Sequence, residues 1–231
     1  GLTEFLPVSS SGHLRLLGAA FGFDEPQTLL DVMLHLGTLG AVVVVYRRDV
    51  LALLAGIFRL FKRLGCDPSR APLCADPDLR LLGLLVIGTL PAGVVGVVLG
   101  GLMERYLSAV WTVGLLLLVN GGVLLVAGRT AVGRGTAAGR PLAELRPRDA
   151  LLIGLAQSVA LLRGISRSGS TVAAGLLCGV AREDAARFSF LLSIPAILGA
   201  AVLELRHVTA ETAPAGSVGH GELVGGRGGT I

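Results

Sequence analysis

Apolar residues run almost unbroken through four stretches of this chain. Gln27–Tyr46 ends in "GAVVVVY", Leu81–Gly100 reads "LLGLLVIGTLPAGVVGVVLG", Val110–Ala127 contains "VGLLLLVNGGVLLVA", and Phe188–Leu205 reads "FSFLLSIPAILGAAVLEL". A spanning helix needs about 20 mostly apolar residues, so the pattern predicts four membrane helices. Their β-branched residues do not indicate strands, because a membrane β-strand alternates in polarity and these runs do not. Glycine and proline inside them are tolerated in lipid, where neighbouring helices satisfy the freed backbone groups.

Two further regions are apolar but interrupted. Leu2–Phe23 is broken at "PVSSSGH" and Leu151–Val180 at "LLRGISRSGST". Each reads as a short helix, a polar Gly/Ser loop and a second short helix. Non-helical backbone at membrane depth survives only when it is buried in protein or faces a wet cavity. Both breaks are therefore candidate sites.

Composition agrees with a membrane protein. The 231 residues are 52% hydrophobic and 16% charged, with a mean hydropathy of +0.75, against about 25% charged in soluble domains. The net charge of +4 comes from arginines between the apolar runs. With 4% aromatic residues there is little to stack on bases, and nucleic acid is set aside as a partner. Cys66, Cys74 and Cys178 form no ligand pattern, and a disulfide is not expected in a cytoplasmic loop.

Lysine and arginine set the orientation. Arg47–Arg80 and Arg129–Arg148 are rich in them, whereas Gly101–Ala109 carries Arg105 alone. The positive-inside rule puts the two basic segments in the cytoplasm as loops. Traced outward, the first broken pair dips in from outside and the second from the cytoplasm.

A faint internal repeat accompanies this topology. "GLTE" at Gly1–Glu4 resembles "GLAQ" at Gly154–Gln157, and "SSSG" at Ser9–Gly12 resembles "SRSG" at Ser166–Gly169. Two copies entering from opposite faces make an inverted-topology repeat whose broken helices meet near the bilayer midplane. The expected fold is all-α: a polytopic membrane helix bundle with two inverted repeats and two re-entrant broken helix pairs. Residues 1–231 form one integral membrane domain, with repeat one at 1–127 and an incomplete repeat two at 150–231. The polar, Gly-rich tail cannot supply the missing spans, so helix is expected to be missing at both ends.

Arg167 carries most chemical information. A mid-membrane charge costs at least about 2.5–3.5 kcal/mol on insertion scales, and arginine offers a planar fork of donors suited to phosphate or carboxylate. Ser166, Ser168, Ser170 and Thr171 add donors, and Thr171 opens a helix whose amides favour an anion. The competing reading is an arginine snorkelling at a helix end. In the first break, Ser10 and His13 are three apart, and a hydroxyl beside an imidazole is the minimum for an activated nucleophile. Glu4 is placed to orient the histidine or to hold a divalent cation. The plain alternative is that Ser9, Ser10 and Ser11 cap the helix while Glu4 faces a headgroup. Asp31 and His35, at helical i,i+4 spacing, read equally as a cavity-facing or a structural pair. Arg163 assists the anion site or touches headgroups. Glu104, Arg105 and Arg182–Asp184 read as solvated loop charges, and His207 and His220 as partnerless tail residues.

"GLTEFLPVSSSGHL" together with "RGISRSGST" strongly resembles the undecaprenyl-diphosphate phosphatase family, the bacitracin-resistance type of bacterial membrane phosphatase. The resemblance runs in order along the whole chain, including "LHLGTLGAVVVVYRRD" and "FSFLLSIPAILGA". It implies hydrolysis of the lipid carrier diphosphate to the monophosphate on the outer face of the bacterial cell membrane, which recycles the carrier for peptidoglycan synthesis. It also implies a divalent cation, Mg or Ca, which suits Glu4. The family's Glu-Gly-x-x-Glu motif matches at Glu4 for its second acid, and the first would precede Gly1. The family's Pro-Gly before the serine–arginine core is Arg163-Gly164 here.

The expected activity is therefore a phosphatase acting on a polyprenyl diphosphate. Glu4, Ser10, His13 and Arg167 are assigned to catalysis, and Ser9, Ser11, Ser166, Ser168 and Thr171 to substrate binding. Glu4 also serves as metal ligand. Ser10, His13 and a metal-activated water compete as nucleophile. Membrane lipids are further partners, and a homodimer is left open. The rival class is a transporter or flippase for a phosphorylated lipid, since inverted repeats are common in transporters; a Ser/His pair is more than binding requires. A purely structural subunit would leave the intramembrane arginine unexplained.

Overall fold

The computed structural model describes residues 2–22, 28–66, 76–107, 109–133 and 139–212. Nine α-helices follow one another among them: α1 (Leu2–Phe5), α2 (Ser10–Phe21), α3 (Thr28–Val45), α4 (Arg47–Cys66), α5 (Pro77–Leu107), α6 (Val110–Gly133), α7 (Pro147–Val159), α8 (Arg167–Leu177) and α9 (Arg182–Thr212). No strand occurs among the described residues, so the β-branched runs are helical as expected.

Three helices are long and apolar enough to cross a membrane, over Pro77–Met103, Val110–Thr130 and Arg182–Val202. They contain or overlap three of the four expected spans. The fourth, Gln27–Tyr46, corresponds to α3, whose described apolar stretch is the shorter Met33–Val45. Large apolar side chains such as Val97, Val98, Leu118 and Leu125 point outward, which suits a lipid surround.

The core lies between α5, α7, α8 and α9. Phe188, Leu191 and Leu192 of α9 are fully enclosed and meet Ile153 of α7, Leu145 before it, and Leu84 and Leu85 of α5. Helix α7 presses on α5 at a glycine pair: a Cβ on Gly154 would lie 2.3 Å from the Gly88 carbonyl oxygen. Small residues at the seam are what let membrane helices approach this closely.

Two sequence expectations change here. Arg47–Arg80, expected as a basic loop, begins with the 20-residue helix α4. Its charges interrupt the hydropathy, but its apolar residues keep a helical period: Leu53 is buried against the core, while Leu51, Leu54, Phe58 and Phe61 form one exposed stripe. Arg182, Glu183 and Asp184, expected as loop charges, form the first turn of α9. Acids there oppose the positive end of the helix dipole, and Asp184 accepts the Leu142 amide at 3.1 Å.

The two basic segments meet at one end of the bundle. Arg80 donates through Nη1 and Nη2 to the carbonyl oxygens of Ala143 and Leu145, each at 2.5 Å. Nearby, buried Asp149 accepts the Arg146 amide at 3.1 Å and the Arg140 guanidinium at 2.9 Å. Cys74, His220 and the Gly-rich tail lie outside the described residues, as do the side chains of Asp31, Cys66, Glu104, Arg105 and His207.

Candidate active site

The two expected breaks exist and touch. The first separates α1 from α2 at 6–9, and the second separates α7 from α8 at 160–166. Ser9 caps α2 from a left-handed conformation, φ 57°, with Oγ accepting the Gly12 amide at 3.4 Å. For a non-glycine residue this backbone stores strain of about 1–3 kcal/mol, a feature that concentrates at functional sites. Gly164 turns the second break at φ 112°. A Cβ there would lie 2.7 Å from the Val113 carbonyl oxygen, so glycine is required by conformation and by space.

Asn120, buried in mid-α6, ties the breaks together. Its Nδ2 donates to the Pro7 carbonyl at 3.3 Å, and its Oδ1 accepts the Ser166 amide at 3.1 Å. One side chain thus satisfies a backbone group from each break. Ser168 adds a third tie by donating to the Glu4 carbonyl oxygen at 3.1 Å.

Beside these ties lies one cavity lined from four helices, and Ser10 reaches it through Glu4 without lining it. Helix α1 contributes Glu4 and Phe5, and α3 contributes Thr38 and Val42. Helix α8 lines it with Arg167, Ser168 and Thr171, and α9 with Ser189, Phe190, Ser193 and Ile197. Aromatic packing supports the wall, with the Phe190 ring 5.7 Å from Phe5 and 6.0 Å from Tyr46.

Glu4 is the hub. Ser10 donates its hydroxyl proton to Glu4 Oε1. Arg167 Nη2 stands 4.0 Å from Glu4 Oε2, and His35 Nε2 stands 3.8 Å from the same oxygen. The Glu4 side chain is 12% exposed and that of Arg167 25%, so both charges act in a setting drier than bulk water, where electrostatic interactions strengthen. At 4.0 Å the Arg167–Glu4 contact is too long for a hydrogen bond, which leaves the guanidinium fork able to take an anion.

The structure thus brings Glu4, Ser10, Arg167, Ser168 and Thr171 together. It does not pair Ser10 with His13: the His13 ring is exposed, with Nδ1 2.9 Å from the Ser9 carbonyl oxygen. Ser9 and Ser166 act as helix caps. Ser166 Oγ accepts the Gly169 amide at 3.1 Å, and like Ser9 it is buried. Ser11 and Arg163 are partly buried and do not line the cavity. Sequence reasoning missed Asn120, Ser189 and the closeness of His35 to Glu4. A signal existed for the first, since an amide inside an apolar span marks a helix contact or a site.

A family model for bacitracin resistance protein BacA matches residues 1–226. The chain belongs to the BacA family. Curated relatives agree with that membership. An undecaprenyl-diphosphatase of Desulforapulum autotrophicum is 44% identical over 207 residues, covering 89% of this chain and 73% of its own. One of Rubrobacter xylanophilus is 47% identical over 214 residues, covering 91% and 74%. One of Myxococcus xanthus is 41% identical over 215 residues, covering 93% and 68%. At the turn of the second break, Gly164 is preceded by Arg163.

Proposed function

We infer that this membrane protein is an undecaprenyl-diphosphate phosphatase. It releases inorganic phosphate from the C55 diphosphate, returns the monophosphate carrier to peptidoglycan synthesis and confers resistance to bacitracin. The observation that carries the mechanism is the Ser10 hydroxyl on the Glu4 carboxylate, with Arg167 beside it in a cavity among apolar helices.

Phosphoryl transfer asks for positioning and charge neutralisation more than for covalent chemistry by the protein. The Arg167 fork holds non-bridging oxygens of the terminal phosphate. Glu4 takes the Ser10 proton as Ser10 Oγ bonds to phosphorus, and the bond from phosphorus to the bridging oxygen breaks, releasing the lipid monophosphate. Water then attacks the phosphoserine phosphorus, the bond to Ser10 Oγ breaks, and Glu4 returns its proton to Oγ as phosphate leaves. Glu4 is the base in this reading, because its carboxylate already accepts the Ser10 hydroxyl.

A divalent cation fits the donor set, which is oxygen-based. Among the described residues no three His, Cys, Asp or Glu side chains cluster. Magnesium typically uses one or two carboxylates together with substrate phosphate oxygens. Glu4 and Ser10 would hold it, and its chemistry there is neutralisation of phosphate charge. The protein sits in the bacterial inner membrane with the joined basic segments on the cytoplasmic side, and the cavity opens to the outer face, as the family resemblance implies.

The test is phosphate release from C55 diphosphate by the purified full-length protein. Turnover by the wild type and its loss in Ser10→Ala and Glu4→Gln support the reading. Lipid transfer across vesicles without phosphate release would favour the flippase alternative.

A further inference from the structure

Ser189 lines the cavity from α9, is 3% exposed, and its Oγ has no hydrogen-bond partner. The neighbouring hydroxyls differ. Thr38 donates to the His35 carbonyl at 2.8 Å, Thr171 to that of Arg167 at 2.9 Å, Ser193 to that of Phe190 at 2.7 Å and Ser168 to that of Glu4 at 3.1 Å. A helical serine ordinarily settles its proton on a preceding carbonyl, as Ser193 does one turn later. Ser189 therefore holds a donor in reserve, enclosed from solvent and adjoining a cavity that also presents Arg167. A ligand that satisfies both must be anionic and carry acceptor oxygens.

The α9 wall also changes character along its length. Ser189, Ser193 and Ile197 follow at i, i+4 and i+8 on one face, so hydroxyls give way to an apolar side chain. That order suits a phosphorylated headgroup joined to a hydrocarbon. We propose that Ser189 is a substrate-binding residue, donating its Oγ–H to a phosphoryl oxygen of the diphosphate while Arg167 binds the same group from α8. The assignment rests on the phosphatase reading above.

The experiment compares the full-length wild type with Ser189→Ala in detergent, by thermal unfolding with and without inorganic pyrophosphate and by steady-state phosphate release. Removing an unpartnered buried hydroxyl should raise the ligand-free unfolding temperature. Pyrophosphate should stabilise the wild type more than the variant. KM for the lipid diphosphate should rise about five- to twentyfold, with kcat within about twofold, the pattern of a lost binding contact to a charged group. A fall in the ligand-free unfolding temperature, or equal pyrophosphate shifts, would overturn the assignment, as would an unchanged KM. Should the wild type release no phosphate from the lipid, the activity reading fails, while the pyrophosphate shifts still decide Ser189.

Discussion

The side-chain oxygen of Asn120 accepts the backbone amide of Ser166 at 3.1 Å, from within the apolar run Val113–Ala127 of α6. The same side chain donates to the Pro7 carbonyl, so the two breaks are held in register from a third element. Replacing Asn120 with leucine leaves a buried amide and a carbonyl without this partner. The expected cost is about 1–3 kcal/mol for the buried Ser166 amide left unsatisfied, together with at least tenfold lower turnover as Ser10 and Arg167 lose alignment. Thermal unfolding and phosphate release read the two effects, and a variant matching the wild type in both would remove Asn120 from the site's architecture.

Arg167→Lys keeps the charge but not the two-pronged geometry toward phosphate oxygens. Turnover should fall by roughly two orders of magnitude, comparable with removal of one preorganised donor in other enzymes. Near-normal turnover would reduce Arg167 to a general positive charge.

The nucleophile is decided by what is trapped. Rapid quench with labelled diphosphate, followed by phosphopeptide mapping, should find acid-stable label on Ser10. Acid-labile label on His13 would move the attack to the imidazole, and no label at all would point to water.

Arg80 binds the carbonyl oxygens of Ala143 and Leu145, so Arg47–Arg80 and Arg129–Arg148 should label from one side of the membrane. Single cysteines in Gly101–Ala109 should label from the other. Opposite-face labelling of the two basic segments would contradict the topology.

Asp149 supplies a pH test. Burial acts to raise its pKa, but the Arg146 amide and the Arg140 guanidinium outweigh it, so the carboxyl is held below the ordinary carboxylate range. A depressed folded-state pKa means stability that is present above the unfolded value and lost as pH falls through the folded one. Asp149→Asn should lower the unfolding temperature by several degrees at neutral pH, and the difference should shrink under acid. A pH-independent difference would assign the loss to packing alone.

The long helices were legible because lipid leaves a continuous apolar run one way to satisfy its backbone. The breaks were legible for the complementary reason: serines, a glutamate and an arginine inside such runs need protein or water around them. Residue type then restricted the chemistry, since Arg167 and its neighbouring hydroxyls suit an anion. What the chain order could not convey is which face meets which. Local spacing offered His13 to Ser10, but the left-handed turn at Ser9 is followed by a His13 ring on the Ser9 carbonyl and a Ser10 hydroxyl on Glu4. Helix α4 hid behind its charges, which lower hydropathy without disturbing a helical period. Asn120, His35 and Ser189 gained their roles through packing among α1, α3, α6, α8 and α9. A side chain's periodicity names the face it occupies, whereas its partner is set by the docking of helices distant in the chain, and that docking placed Glu4 beside Arg167.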